Sequence, residues 1–177
     1  MSIAEASKGL QNLLQAGFGL KEAVDLMNAF KDAAAFNRQA ALDFGEAVVT
    51  ATEGIKNGNS ILVDNAGITK NLSVILQEAG YSAQDLQKVQ SDLNVRMALY
   101  NGILKEAEIF AGNAAKAAET LAGAHARAAT EAFNARAAFG EALAPALQAL
   151  SDASADVLGK IADFVEANPE LARTAFL

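Results

Sequence analysis

The chain has 177 residues, 52% of them hydrophobic, with a net charge of −7, two prolines, no cysteine and no tryptophan. That length suits one ordinary domain or a domain with an extended arm. Disulfides and thiol chemistry are excluded, and the singly scattered Lys and Arg argue against a surface that tracks a phosphate backbone, which needs clustered positive charge.

Strong helix formers dominate and β-branched residues never alternate over a long run, so the expected fold class is all-α. Alanine supplies much of the apolar content. A buried methyl contributes only about 0.8 kcal/mol, against roughly 1.5–3 kcal/mol for a Leu or Phe side chain. Long helices packed closely along Ala faces therefore fit better than a globule with a deep core. A first helix is expected from Ile3 to Ala16, with Leu10, Leu13 and Leu14 on one side, broken by Gly17-Phe18-Gly19. A second runs from about Leu20 to Phe36 and carries Val24, Met27, Phe30 and Ala34 at three- and four-residue steps. A third runs from about Leu42 to Lys56 and stops at the turn signal Asn57-Gly58-Asn59-Ser60. Residues 61–68 read as a loop with one helical turn, and Thr69 as the N-cap of a short helix ending at Ala79-Gly80.

From Ser82 the pattern changes. Ser82 with Asp85 suits a capped helix start. Leu86, Val89, Leu93, Met97, Tyr100, Leu104 (or Ile103) and Phe110 then form one apolar stripe, expected to be a helix-packing or self-association face. Beyond Gly112 the stripe becomes alanine-rich through Ala114, Ala118, Leu121, Ala128, Ala132, Phe139 and Leu143, and Pro145 acts as a kink or a break. A further helix is expected over Val157, Leu158, Ile161, Phe164 and Val165, closed at Asn168, with Pro169 opening a last short one. The organisation is thus a short-helix region with tight turns (1–80) and a long-helix region (81–177), arranged as a bundle or an extended helical hairpin. If residues 82–142 are one rod, it spans roughly 90 Å at ~1.5 Å per residue.

Chemistry-bearing constellations are scarce. His125, the one histidine, has no acid or thiol at ligand spacing, so it reads as a helix-surface residue. No Gly-x-Ser-x-Gly elbow occurs. Glu106 and Glu108 face different directions on a helix, and Asp152 and Asp156 share a face without a third ligand. The stretch Gly54–Gly58 lacks the ending of a phosphate loop, and Asp64-Asn65-Ala66-Gly67 lacks the alternating oxygens and closing Glu of a calcium loop. No enzymatic activity, cofactor or metal is expected. No basic start with an apolar core follows Met1, and the uncharged runs 9–20 and 142–151 fall short of the ~18 apolar residues that suggest a membrane span, so neither a signal peptide nor a membrane segment is expected.

One stretch carries more. Asn59-Ser60-Ile61-Leu62-Val63-Asp64-Asn65-Ala66-Gly67-Ile68-Thr69-Lys70-Asn71-Leu72-Ser73-Val74 closely resembles a signature of phage tail tape measure (phage-related minor tail) proteins. Ala98-Leu99-Tyr100-Asn101-Gly102-Ile103-Leu104-Lys105-Glu106 is a second match, and Gly112-Asn113-Ala114-Ala115 leading to Ala122-Gly123-Ala124 a third. Gln15-Ala16-Gly17-Phe18 and Phe44-Gly45-Glu46-Ala47-Val48 also fit, so the resemblance keeps its order over roughly residues 13–145. It implies a virion component that lies in the tail tube lumen, templates tube polymerisation and sets tail length. It also implies tail tube proteins, tail-tip proteins and assembly chaperones as partners, in the virion tail and, during assembly, in the host cytoplasm. The family is usually longer, with hydrophobic segments after such a region, so a fragment of a longer chain is expected. A homo-oligomer is expected from the Ala-rich faces. The alternative is a cellular all-helical adaptor or scaffold that binds a partner helix in a groove.

Overall fold

The computed structural model describes residues 1–167, and every regular element among them is helical. The α-helices are α1 (Ile3–Gln15), α2 (Leu20–Asn37), α3 (Phe44–Asn57), α4 (Ser60–Asp64), α5 (Leu72–Glu78), α6 (Leu93–Ala107), α7 (Asn113–Ala118) and α8 (Leu121–Ala167), with 3-10 turns at Ala83–Lys88 and Glu108–Phe110. The fold class is all-α, as the sequence led us to expect. Two compact units divide the chain, Met1–Ala132 and Phe133–Leu177. The second contains the rest of α8, whose backbone stays helical through Pro145 and over the Val157–Val165 stretch. The closing Asn168 and the helix expected from Pro169 lie outside the described residues.

Local side chains set most of the helix starts. Ser2 Oγ accepts from the Glu5 amide at 3.2 Å while the Glu5 carboxylate accepts from the Ser2 amide at 2.6 Å, a reciprocal cap on α1. Asp43 caps α3 through the Glu46 amide (2.7 Å), and Asp92 caps α6 through the Asn94 amide (2.8 Å). The cap of α5 is Asn71, which accepts from the Ser73 amide at 3.0 Å, and not Thr69 as its position had suggested. Helix stops are equally local. After α1, Gly17 turns left-handed (φ 93°) and the Phe18 amide reaches back to the Leu13 carbonyl at 3.2 Å. After α3, Gly58 (φ 63°) and the Asn59 amide repeat the device on Gly54 at 2.7 Å. The Tyr81 amide does the same to Leu76 (3.0 Å) at the end of α5.

Packing in the first unit centres on α2, which meets α1, α3, α6 and α7. Its Ala23, Leu26, Phe30, Ala33 and Ala34 are fully buried. The α1–α3 seam carries a polar clasp: buried Asn12 donates to Thr52 Oγ1 at 3.1 Å, Thr52 Oγ1 donates to the Val49 carbonyl at 2.6 Å, and Lys56 Nζ donates to Asn12 Oδ1 at 3.3 Å. Both partners of a buried polar group are thereby met, which avoids the penalty of an unpaired one. On the other side, α5 packs on α6 at Gly102, where a Cβ would run into Ile75.

Residues 82–142 do not form a single rod. Ser82 and Asp85 do make a reciprocal cap, but the segment they open is the 3-10 turn Ala83–Lys88. Asp92 restarts the chain as α6, and a second interruption follows at Ala111–Gly112, where Gly112 is left-handed (φ 80°). The short-helix region therefore extends to about residue 120. The buried face of α6 is also turned from the expected one. Val95, Leu99, Ile103 and Ala107 are buried at four-residue spacing, with Tyr100 at the edge, whereas Leu93 is 60% exposed. Apolar residues surround almost the whole of α6, so its phase is fixed by what it packs against and not by its own pattern. Leu99→Ala should therefore cost about 2–5 kcal/mol, and Leu93→Ala should stay within about 0.5 kcal/mol of wild type. Urea unfolding of the two variants measures both; equal losses would restore the expected face.

Candidate functional site

A groove of about 1000 Å³ lies in the first unit. Its floor is the outer face of α2 at Asn28, Lys31, Asp32 and Ala35. One wall comes from Met1 and Glu5 of the α1 start with Asp43, Phe44 and Gly45 of the α3 start. The other comes from Ala114, Ala115, Ala117 and Ala118 of α7 with the first turns of α8. Small side chains shape the groove and acids alternate with bases along it. A shallower depression of about 480 Å³ lies between α2 and α6, lined by Asp25, Asn28, Ala29, Asp32, Leu104 and Glu108 among others.

Asp32 joins the two halves of the α2 outer face. Its carboxylate accepts from the Gly112 amide at 3.0 Å and the Ala114 amide at 2.9 Å. Gly112 has no side chain to cap α7, so a residue eighty positions earlier does it. Two turns of α2 away, Tyr100 OH donates to Asp25 Oδ2 at 2.8 Å, and Lys21 Nζ pairs with the same oxygen at 2.7 Å. The Lys21 ammonium, helped by the Tyr100 hydroxyl, holds the Asp25 carboxyl below its usual range. Burial, then the Asp25 carboxylate, raises the Tyr100 phenol. Between α5 and α6, Lys70 bridges Glu106 at 2.6 Å and Glu78 at 2.9 Å, and these acids raise its ammonium, Glu106 foremost. Arg96 donates to the carbonyls of Val89 (3.0 Å) and Gln90 (3.2 Å), tying the start of α6 to the 3-10 turn. Asp25 and Lys70 are held in ion pairs, while Asp32 and Arg96 are held by backbone groups, and each of the four fastens one segment to another or to its own turn. None leaves a nucleophile beside a free base.

The seven residues expected to make one face are dispersed by the fold. Val89, Tyr100 and Phe110 are buried, and the Phe110 ring packs against Phe36 at 5.6 Å between centroids. Leu86, Met97 and Leu104 are half-buried against the core, and Leu93 faces outward. Most of the stripe is thus intramolecular core. His125 is exposed on α8, as is Asp152; the Asp156 side chain lies outside the described residues. Glu106 is engaged by Lys70 and Glu108 lines the shallow depression, so the two acids serve separate places. Among the described residues no group of three or more His, Cys, Asp or Glu converges as a metal site, and no helix is long and apolar enough to cross a membrane. Asp32 had no signature in the sequence, because its partners are two backbone amides made available by tertiary packing.

Comparison with protein-family models, curated proteins and solved structures finds no significant match.

Two outcomes follow from the geometry. Asp32→Ala removes the only side-chain cap on α7 among the described residues and should cost about 1 kcal/mol. Hydrogen exchange checks it directly, because the Gly112 and Ala114 amides should lose protection before the amides of α1–α3. Asp85 is held down to about 2 by Lys88, then by the Ser82 hydroxyl and amide. A depressed carboxyl stabilises the fold above its unfolded value and loses that contribution as pH falls through its folded value. The melting temperature should therefore decline between about pH 4 and pH 2, and Asp85→Asn should flatten that part of the profile.

Proposed function

We propose that the chain is a structural component of a phage or prophage tail, of the tape measure type, which occupies the tube lumen, templates tube assembly and sets tail length. The reading rests on the ordered stretches between residues 13 and 145 that resemble that family, above all Asn59–Val74. In the fold this segment supplies α4, the turn after it and the start of α5. Its Val63, Ala66, Ile68 and Leu72 are core, while Asn59 and Asn71 cap helices and Ser60 Oγ accepts from the Leu72 amide at 3.0 Å. The resembling residues are thus those that specify a packing unit, which is what a structural protein must preserve.

In this reading residues 1–132 act as a folded unit whose size does not scale the tail, and the ruler is the helical stretch that begins in α8. A helix suits that task because its length is linear in residue number. Tube and tip proteins and assembly chaperones are the partners, copies of the chain associate along Ala-rich faces, and no catalytic role is involved.

The test is made in the phage or induced prophage that encodes the chain. Two extra tandem copies of residues 146–163 add about ten helical turns, or about 54 Å at ~1.5 Å per residue. Tails should lengthen by that amount to the nearest whole ring of tube subunits, with the variant chain inside them. Tails of unchanged length that contain the variant, or purified tails that lack the chain altogether, would refute the assignment.

A further inference from the structure

Helices ordinarily stop at Gly or Pro, or give way where a capping signal is strong. Between α7 and α8 the chain reads Ala117-Ala118-Glu119-Thr120-Leu121-Ala122, with neither Gly nor Pro. Glu119 still has right-handed helical angles (φ −77°, ψ −14°), so the departure from helix is confined to residues 119–120. Side chains and contacts hold it there. Thr120 Oγ1 donates to the Ala117 carbonyl at 2.7 Å and accepts from the Gly123 amide at 3.0 Å, and Arg127 donates to the Ala118 carbonyl.

Each backbone group in that joint would have a main-chain partner in an unbroken helix. The Ala117 carbonyl would accept from Leu121, the Ala118 carbonyl from Ala122, and the Gly123 amide would donate to Glu119. Hydrogen bonding is therefore nearly balanced between a bent and a straight form. Packing hardly tips it: α8 brings mainly the small side chains of Ala122, Ala126 and Ala129 to the groove, and methyl groups bury little apolar area. The bend also requires that position 123 carry no side chain, because a Cβ there would meet the backbone of Ala117 and Ala118. The start of α7 is anchored separately by Asp32.

We propose that residues 119–120 are a two-state hinge. In the closed state, seen here, the first turns of α8 wall the groove. In the open state α7 and α8 fuse into one helix from Asn113, still capped by Asp32, and the α2 face at Asn28, Lys31 and Ala35 loses that wall. The inference does not depend on the tail assignment.

The chain has no cysteine, so spin labels at Asn28→Cys and Ala129→Cys report one distance across the groove. Thr120→Ala removes the joint's own hydrogen bonds and suits a helix interior. Wild type should show a short and a longer peak together, and Thr120→Ala should leave the longer one dominant, with helical circular dichroism equal to or above wild type. Gly123→Ala should do the same by excluding the bend. Gly140→Ala, where an added Cβ meets nothing, controls for helix propensity and should leave the short peak in place. A short peak retained in both Thr120→Ala and Gly123→Ala overturns the hinge. So does a longer distance accompanied by loss of helix, which would mean unfolding and not fusion.

Discussion

Helix backbones in the first unit come close wherever the facing side chains are alanine or glycine, because nothing there bridges a wider gap. Three of the buried residues of α2 that face its neighbours are alanines, and their methyls reach only a helix that is nearly in contact. Dispersion falls off steeply with a gap of even half an ångström, so the arrangement holds only where nothing larger intrudes. Gly9 of α1 shows the limit: a Cβ there would come within 2.6 Å of the Met27 sulfur. Gly102 against Ile75 is the same constraint between α5 and α6. Larger buried groups, Phe30, Leu26, Leu13 and Leu99 among them, fill the spaces between such close contacts.

Close packing also decides how polar groups are used. Where helices run this near each other, a buried amide or hydroxyl cannot find water and must be met by protein. Asn12, Thr52 and Lys56 satisfy one another across α1 and α3, and Asp32 reaches the two amides that Gly112 leaves uncapped. No buried side-chain nitrogen or oxygen is left without a partner among the described residues. The same side chains that stitch elements together are thereby removed from any other chemistry.

How much of this was legible depended on the range of the signal. Stops at Gly17, Gly58 and Gly80 and the start at Ile3 are written in neighbouring residues, and the structure has them within a residue or two of the expected places, whereas Ser82 with Asp85 opens only a 3-10 turn. The apolar spacing from Leu86 to Phe110 runs straight across the break at Asp92, so periodicity alone conceals it. The phase of α6 could not be read, since Leu93, Met97 and Leu104 on one flank are as apolar as Val95, Leu99 and Ile103 on the other. Gly102 was the available hint, marking the side where another helix comes close. Asp32 and the groove depend on residues some eighty positions apart and left no local trace.

The Tyr100–Asp25 contact has an optical consequence. The chain has no tryptophan and two tyrosines, so emission excited beyond the phenylalanine absorption band comes from Tyr81 and Tyr100. A phenol hydrogen-bonded to a carboxylate is quenched, and Tyr100 is so bonded only while α6 lies against α2. Undocking of these helices would brighten the protein without any label being attached, and the half-buried Tyr81, at the end of α5, supplies the steady background against which that change is read.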